Sequence, residues 1–199
     1  MELFGLADCN NFYCSCERVF HPDLRNKLVV VSNNDGCIIA RSEESKSWGI
    51  KMGEPFYQVK ELLEKNDVAL FSSNYNLYGD MSKRVMSLLS TYTLKLDIYS
   101  IDEAFLDLSG MGDSTHLIKY SKDMVKSIRQ GTGIPISLGI APTKNLAKVA
   151  SKFAKKYKGY EGVCLIDSEE KREKALKLFD VGDVWEHSKK LAYHGIRTA

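Results

Sequence analysis

The chain has 199 residues, 44% of them hydrophobic and 27% charged, with a formal net charge of +2. That length suits one large domain or two small ones with a real core. The near-neutral balance excludes a uniformly basic protein, so any basic surface must be local.

Five cysteines, Cys9, Cys14, Cys16, Cys37 and Cys164, make no CxxC pair, and their odd number fits free thiols in a reducing compartment. Met1-Glu2-Leu3-Phe4 lacks the basic region and long apolar run of a signal peptide. No apolar run approaches the roughly 18 residues that span a bilayer. A cytoplasmic protein with no membrane partner is expected.

Leu3 to Ala7 reads as a short buried strand that delivers Asp8 at its C-terminal end. Asn10 or Asn11 can cap a helix through Phe12, Tyr13, Cys14 and Cys16, which Pro22 ends. A strand over Leu28 to Ser32 meets Asn33-Asn34-Asp35-Gly36, a strong hairpin signal, and Cys37 to Ala40 returns as its partner. Ser42 can cap the next helix, with Glu43 and Glu44 in its first turn and Gly49 as a left-handed stop. Pro55 opens a helix with Phe56, Val59, Leu62 and Leu63 on one face, and Val68 to Phe71 follows as a short strand.

Leu77, Met81, Val85, Leu88 and Leu89 repeat at helical spacing. Leu94, Leu96 and Ile98, then Leu106 and Leu108, alternate with polar residues, which predicts an antiparallel hairpin with Asp102 and Glu103 at or beside its bend. Neighbours on a regular strand point to opposite faces, so the two acids share a site only if the turn or a bulge re-aims one. A helix starts at Ser114, with Leu117, Met124, Val125 and Ile128 inward, and Gly131 and Gly133 stop it. Ile134 to Ile140 is a strand. Thr143 caps a helix whose Lys144, Lys148, Lys152 and Lys155 fall at three- or four-residue spacing. Val163 to Ile166 is a last strand, and a charged helix runs from Ser168 to about Phe179.

With residues 12–76 set aside, the order is β-α-β-β-α-β, then a basic helix and a further strand. The predicted class is therefore α+β, a ferredoxin-like core with a small α+β insertion. In that order the first strand and the hairpin strand lie side by side, which lets Asp8 meet Asp102. Asp8, Asp102 and Glu103 together suit two Mg²⁺ ions, which can clamp the attacking and leaving oxygens of a phosphoryl displacement. Arg41, Lys46 and Lys155 are the candidate cations for a triphosphate. Lys144 to Lys158 holds six lysines and no acid, a face that attracts phosphate.

Asp8-Cys9-Asn10-Asn11-Phe12-Tyr13, Ser32-Asn33-Asn34-Asp35-Gly36-Cys37-Ile38-Ile39-Ala40-Arg41, Gly49-Ile50-Lys51-Met52-Gly53, Ser72-Ser73-Asn74-Tyr75 and Tyr99-Ser100-Ile101-Asp102-Glu103-Ala104-Phe105 resemble the Y-family translesion DNA polymerases, in particular their UmuC-like branch. The resemblance runs from Leu3 to about Trp185. It implies a palm at 1–11 and 77–165, fingers at 12–76, and the start of a helical thumb at 166–199, with the little finger absent.

By the same resemblance Asp8, Asp102 and Glu103 hold the two Mg²⁺ ions, and Cys9 adds its backbone carbonyl. Tyr13 rejects a ribose 2′-hydroxyl, Phe12 packs beneath the incoming sugar, and Lys46 and Lys155 meet the triphosphate. Lys144, Lys148 and Lys152 are candidates for DNA. Primer-template DNA and a dNTP are the implied partners, with a UmuD′-like subunit and a sliding clamp beside them.

Glu43 stands where many members carry a tyrosine, Lys46 replaces an arginine, and Val184 to Lys189 lacks the Gly-hydrophobic-Gly turn of the family. The expected function is template-directed nucleotidyl transfer in SOS translesion repair, weak or absent in a core without its full thumb. The alternatives are a DNA-binding or regulatory module that has lost turnover and, more remotely, a nucleotide cyclase on the same core.

Overall fold

In the computed structural model, which describes residues 2–180, the described residues form eight strands and seven α-helices. They are β1 (Phe4–Cys9), α1 (Phe12–Phe20), β2 (Val29–Ser32), β3 (Ile38–Arg41), α2 (Glu43–Ser47), α3 (Phe56–Lys65), β4 (Ala69–Ser72), α4 (Tyr75–Leu89), β5 (Leu96–Ile98), β6 (Glu103–Asp107), α5 (Ser114–Thr132), β7 (Ile136–Ala141), α6 (Lys144–Lys156), β8 (Val163–Leu165) and α7 (Glu169–Leu178). Two compact units result. One holds the residues up to Asp8, Leu89–Ser127 and the described residues from Ile136 on; the other holds Cys9–Leu88 and Ile128–Pro135. The thumb expected from 166 on is described only as far as Asp180, and Val184 to Lys189 lies outside the described residues.

The first unit is built on a five-stranded sheet in the order β5-β6-β1-β7-β8. Its first four strands have the ferredoxin-like arrangement, with β1 and β6 adjacent and antiparallel as expected. β8 extends the sheet as a parallel neighbour of β7. The core between this sheet and α6 and α7 contains Leu6, Phe105, Ala147, Ala150, Phe153, Ala154, Ile166, Ala175 and Phe179.

One glycine determines how closely α6 sits. A Cβ at Gly139 in β7 would lie 2.0 Å from the Ser151 nitrogen and 2.2 Å from the Ala147 oxygen. Backbone meets backbone there, so only a residue without a Cβ fits. Thr143 caps α6 through its hydroxyl, which accepts from the Leu146 N–H.

The second unit carries a three-stranded sheet, β3-β2-β4. β2 and β3 form the expected hairpin. At its tip Gly36 takes φ +77°, the Gly36 N–H donates to the Asn33 carbonyl at 3.1 Å, and the Asn33 side chain accepts from Cys37 N–H at 2.8 Å. β4 joins the other edge of β2 in parallel. Val30, Ile38, Ile50, Val59 and Leu63 form the core behind this sheet. Ser42 caps α2, and Gly49 follows it at φ +82°.

The start of α1 departs from expectation. Asn11 is the residue before the helix, but it adopts the left-handed conformation (φ 48°) and its side chain makes no cap. Ser15 supplies the connection instead, donating its hydroxyl to the Asn10 carbonyl at 2.7 Å.

Cys9, Cys14, Cys16 and Cys164 are buried thiols, and Cys37 is partly exposed. Among the described residues no helix is long and apolar enough to cross a membrane.

Candidate active site

The site begins with strand register. Asp8 on β1 is paired with Glu103 on β6. Residues directly opposite each other on antiparallel strands present their side chains on the same face, with Cβ atoms about 5 Å apart. The two carboxylates are therefore neighbours although far apart in sequence.

Asp102 does not belong to the strand. It lies in the bend just before β6, where strand alternation no longer applies, and Ser100 fastens that bend. The Ser100 hydroxyl donates to Asp102 Oδ1 at 2.7 Å and accepts from the N–H groups of Asp102 and Glu103 at 3.3 and 3.0 Å. The N–H groups of Tyr99 and Ser100 both donate to the Glu103 carbonyl. The turn thus takes Asp102 out of strand alternation, while Glu103 keeps its place on β6.

The acids near this strand end have an electrostatic signature. Burial pushes the Glu103 carboxyl above its ordinary range, Lys148 pulls it back, and the negative charges of Asp8 and Asp102 push it up again. The net direction is upward.

Helix α6 answers these acids with ammonium groups. Lys155 Nζ lies 2.9 Å from Asp8 Oδ1, and Lys148 Nζ lies 3.2 Å from Glu103 Oε1. Lys144 Nζ lies 2.7 Å from Asp97 Oδ2 on β5 and sits over the Phe105 ring, 4.6 Å from its centroid. Its hydrogen bond, with its charge, holds the Asp97 carboxyl below the usual range. Lys152 leaves this row and stands 5.2 Å over the Phe179 ring. Of the three lysines expected on DNA, then, two rest on acids of the sheet and one on an aromatic. Asp97, Ser100 and Phe179 were not singled out from the sequence. Ser100, two residues before Asp102, had a readable signal, because a serine there can bond back across a turn.

The donor set suits a hard divalent cation. All three carboxylates are oxygen ligands, their charges crowd one another, and Cys9 ends the strand that carries Asp8. Among the described residues, no three His, Cys, Asp or Glu side chains are gathered into one ligating cluster. The ammonium groups of Lys155 and Lys148 neutralise Asp8 and Glu103 instead.

The remaining candidates lie in the second unit. Phe12 is buried, and Tyr13 stacks on Tyr78 with ring centroids 4.4 Å apart and planes 17° from parallel. Tyr75 meets both rings edge-on. Tyr78 is fully buried and donates its hydroxyl to Glu17 Oε1 at 2.7 Å. Burial, with the Glu17 bond, pushes the Tyr78 phenol well above its usual range. Tyr13 is thus a half-buried ring backed by a rigid one. Lys46 pairs with Glu43 at 2.9 Å, and Glu43 also accepts from the Asn11 amide at 3.4 Å. The Glu43 carboxylate is therefore turned onto the neighbouring lysine. Arg41 donates to the Ile50 carbonyl, which ties it to the loop after α2.

A ferredoxin-like sheet presenting paired carboxylates at the end of its central strands defines a class of α+β proteins. The chain belongs to the impB/mucB/samB family, whose model matches residues 7–152. It is 44% identical over 203 residues to Protein UmuC of Salmonella typhimurium, covering 99% of this chain and 48% of that protein. It is 33% identical over 165 residues to DNA polymerase IV 2 of Mesorhizobium japonicum, covering 81% of this chain and 37% of the relative. The crystal structure of DinB from Sulfolobus solfataricus superposes with a TM-score of 0.83 at 24% identity, over 98% of this chain and 58% of the other. The α+β fold read from the sequence is the fold of that structure. The chain spans about half the length of the curated relatives it matches.

Proposed function

We propose that this chain is the catalytic core of a template-directed DNA polymerase of the translesion type. It adds a deoxynucleotide from a dNTP to a primer 3′-hydroxyl and releases pyrophosphate. The observation that carries this reading is the register of Asp8 against Glu103, with Asp102 fastened by Ser100 in the turn that leads into β6. Membership of the impB/mucB/samB family and the likeness to DNA polymerase IV 2 support it. In these terms residues 1–11 and 77–165 are palm, 12–76 are fingers, and 166–199 begin a thumb.

Asp8, Asp102 and Glu103, with the Cys9 carbonyl, would hold the metal. Two Mg²⁺ ions bound there would supply Lewis-acid activation of the 3′-hydroxyl and charge neutralisation on the triphosphate. Lys155 and Lys148 balance the acids in the free protein. A triphosphate offers Lys155 a second anion, and Lys46 and Arg41 add cations from the fingers. Tyr13, backed by Tyr78, is a stiff wall against a ribose 2′-hydroxyl, and Phe12 packs beneath the incoming sugar. Lys144 and Lys152 add positive charge for the DNA backbone. The rate comes from positioning and charge stabilisation. The same reading places the protein in the cytoplasm, copying past damaged bases in the SOS response with a UmuD′-like subunit and a sliding clamp.

The test is primer extension by the full-length polymerase carrying Asp102→Ala or Glu103→Ala. Incorporation is expected to be lost while thermal unfolding stays near that of the parent. Extension at near-parental rate by a folded Asp102→Ala protein would overturn the reading.

A further inference from the structure

A cavity of about 520 Å³ opens in the second unit, lined by Ser15, Arg18, Val19, Arg25, Asn26, Arg129, Gly133 and Pro135. Three of these side chains are guanidiniums, and none of the lining residues is an acid. The arginines come from three separate segments: the last turn of α1, the loop after the short 3-10 helix Pro22–Leu24, and the last turn of α5. A helix C-terminus favours a cation, which accounts for Arg18 and Arg129 one at a time. It does not account for their convergence with Arg25.

The pairing of the arginines is uneven. Arg18 donates through Nη2 to Glu44 Oε2 at 2.8 Å and also to the Lys27 carbonyl. Burial alone would raise the Glu44 carboxyl, but hydrogen bonds from Arg18, its own backbone and Ser42 hold it below the usual range, so it is ionised. Arg25 and Arg129 are exposed and, among the described residues, make no ion pair. The Arg18 Nε–H is buried and, among the described residues, has no hydrogen-bond partner. A buried donor left open is unfavourable unless an acceptor reaches it. Three positive charges against one carboxylate leave two, the charge of a phosphate dianion. Guanidinium forks also match phosphate oxygens in pairs.

We propose that the Arg18–Arg25–Arg129 cavity binds a dianionic phosphate group, either free orthophosphate or the terminal phosphate of a nucleotide or nucleic-acid end. All of its lining residues belong to the second unit, and the proposal does not depend on the polymerase reading.

The test follows the arginine Nε–Hε signals of the protein by NMR, with Arg18→Lys used to assign the Arg18 signal. Sodium phosphate is titrated against chloride at constant ionic strength. Saturable movement of the Arg18 signal is expected, with affinity at least about tenfold weaker in the double variant Arg25→Gln/Arg129→Gln. Thermal unfolding checks that this variant is folded, and the two single variants are read in the same way if it is not. An Arg18 signal that ignores phosphate, or responds equally in the variants, overturns the proposal. A thymidine oligonucleotide with and without a 5′-phosphate separates the sources. Preference for the phosphorylated form assigns a terminal phosphate, and response to orthophosphate alone assigns the free anion. Equal binding of both oligonucleotides without any response to orthophosphate overturns the dianion.

Discussion

The two units hold their functional candidates by different physics. In the first, Asp8 and Glu103 are placed by long-range strand register and neutralised by lysines from a helix pressed against the sheet at Gly139. In the second, Tyr13 is placed by short-range aromatic stacking on Tyr78, which a buried hydroxyl anchors to Glu17. One arrangement is electrostatic and set by topology. The other is steric and set by packing. A substitution should therefore act through geometry and charge in the first unit, and through lost volume in the second.

Gly139→Ala gives the largest expected effect. Its new methyl would meet the α6 backbone at 2.0 Å, so the helix must move and take Lys148 and Lys155 off their acids. A loss of about 4 kcal/mol or more is expected, seen as a collapse of the unfolding midpoint in denaturant. A variant of near-parental stability would mean that α6 is not in contact as described.

Tyr13→Ala comes next. The ring is half-buried, so a loss of about 1–3 kcal/mol is expected, below the full cost of emptying a core site. In the full-length polymerase the same change should admit ribonucleotides far more readily than the parent does. Parental sugar discrimination in a destabilised variant would leave Tyr13 as packing alone.

Tyr78→Phe sharpens the contrast without removing the stack. It deletes only the hydroxyl that reaches the buried Glu17, and about 1.5–3 kcal/mol should go with that charged hydrogen bond. Thermal unfolding of the single and paired changes, Tyr78→Phe with Glu17→Gln, would show non-additivity if the bond is real.

The smallest effect has the opposite sign. The Glu103 carboxyl is raised in the folded protein, so its protonated form is the one that folding favours. That contribution is present at low pH and is lost as pH rises from the ordinary carboxylate range through the raised value. Glu103→Gln cannot ionise. It should therefore unfold at a temperature equal to or a few degrees above the parent at neutral pH, with the gap closing in acid. A variant that is clearly less stable at neutral pH would show that the Lys148 pair outweighs the crowding.

The elements were largely legible because local rules govern them. Ser42 and Thr143 cap helices by the expected bond, the charged helix begins at Ser168 as read, and Asn33 to Gly36 makes the expected turn. Adjacency of β1 and β6 followed from element order alone. Asn11 misled because it takes the left-handed conformation and its amide donates to Glu43 rather than its oxygen capping the helix. The parallel pairing of β2 with β4 carries no local signal, since both read simply as short apolar strands. Lysine spacing showed a basic face but not its partners. Those depend on how near Gly139 lets α6 approach, a fact of three-dimensional packing. Strand alternation did not say where Asp102 would sit; the Ser100 bonds hold it in the turn, with Glu103 on the strand.

The buried thiols have a practical corollary. Burial pushes Cys14 and Cys16 up to about 12 and Cys164 to about 11, so almost none of their thiolate exists at neutral pH. Alkylating reagents need that thiolate. Cys37, partly exposed beside the β2–β3 turn, is open to a dye in the native protein. The other four must wait for local opening, so the chain carries its own stopwatch. A fast first label marks the hairpin of the second unit, and each later one times the loosening of the strand or helix that hides it.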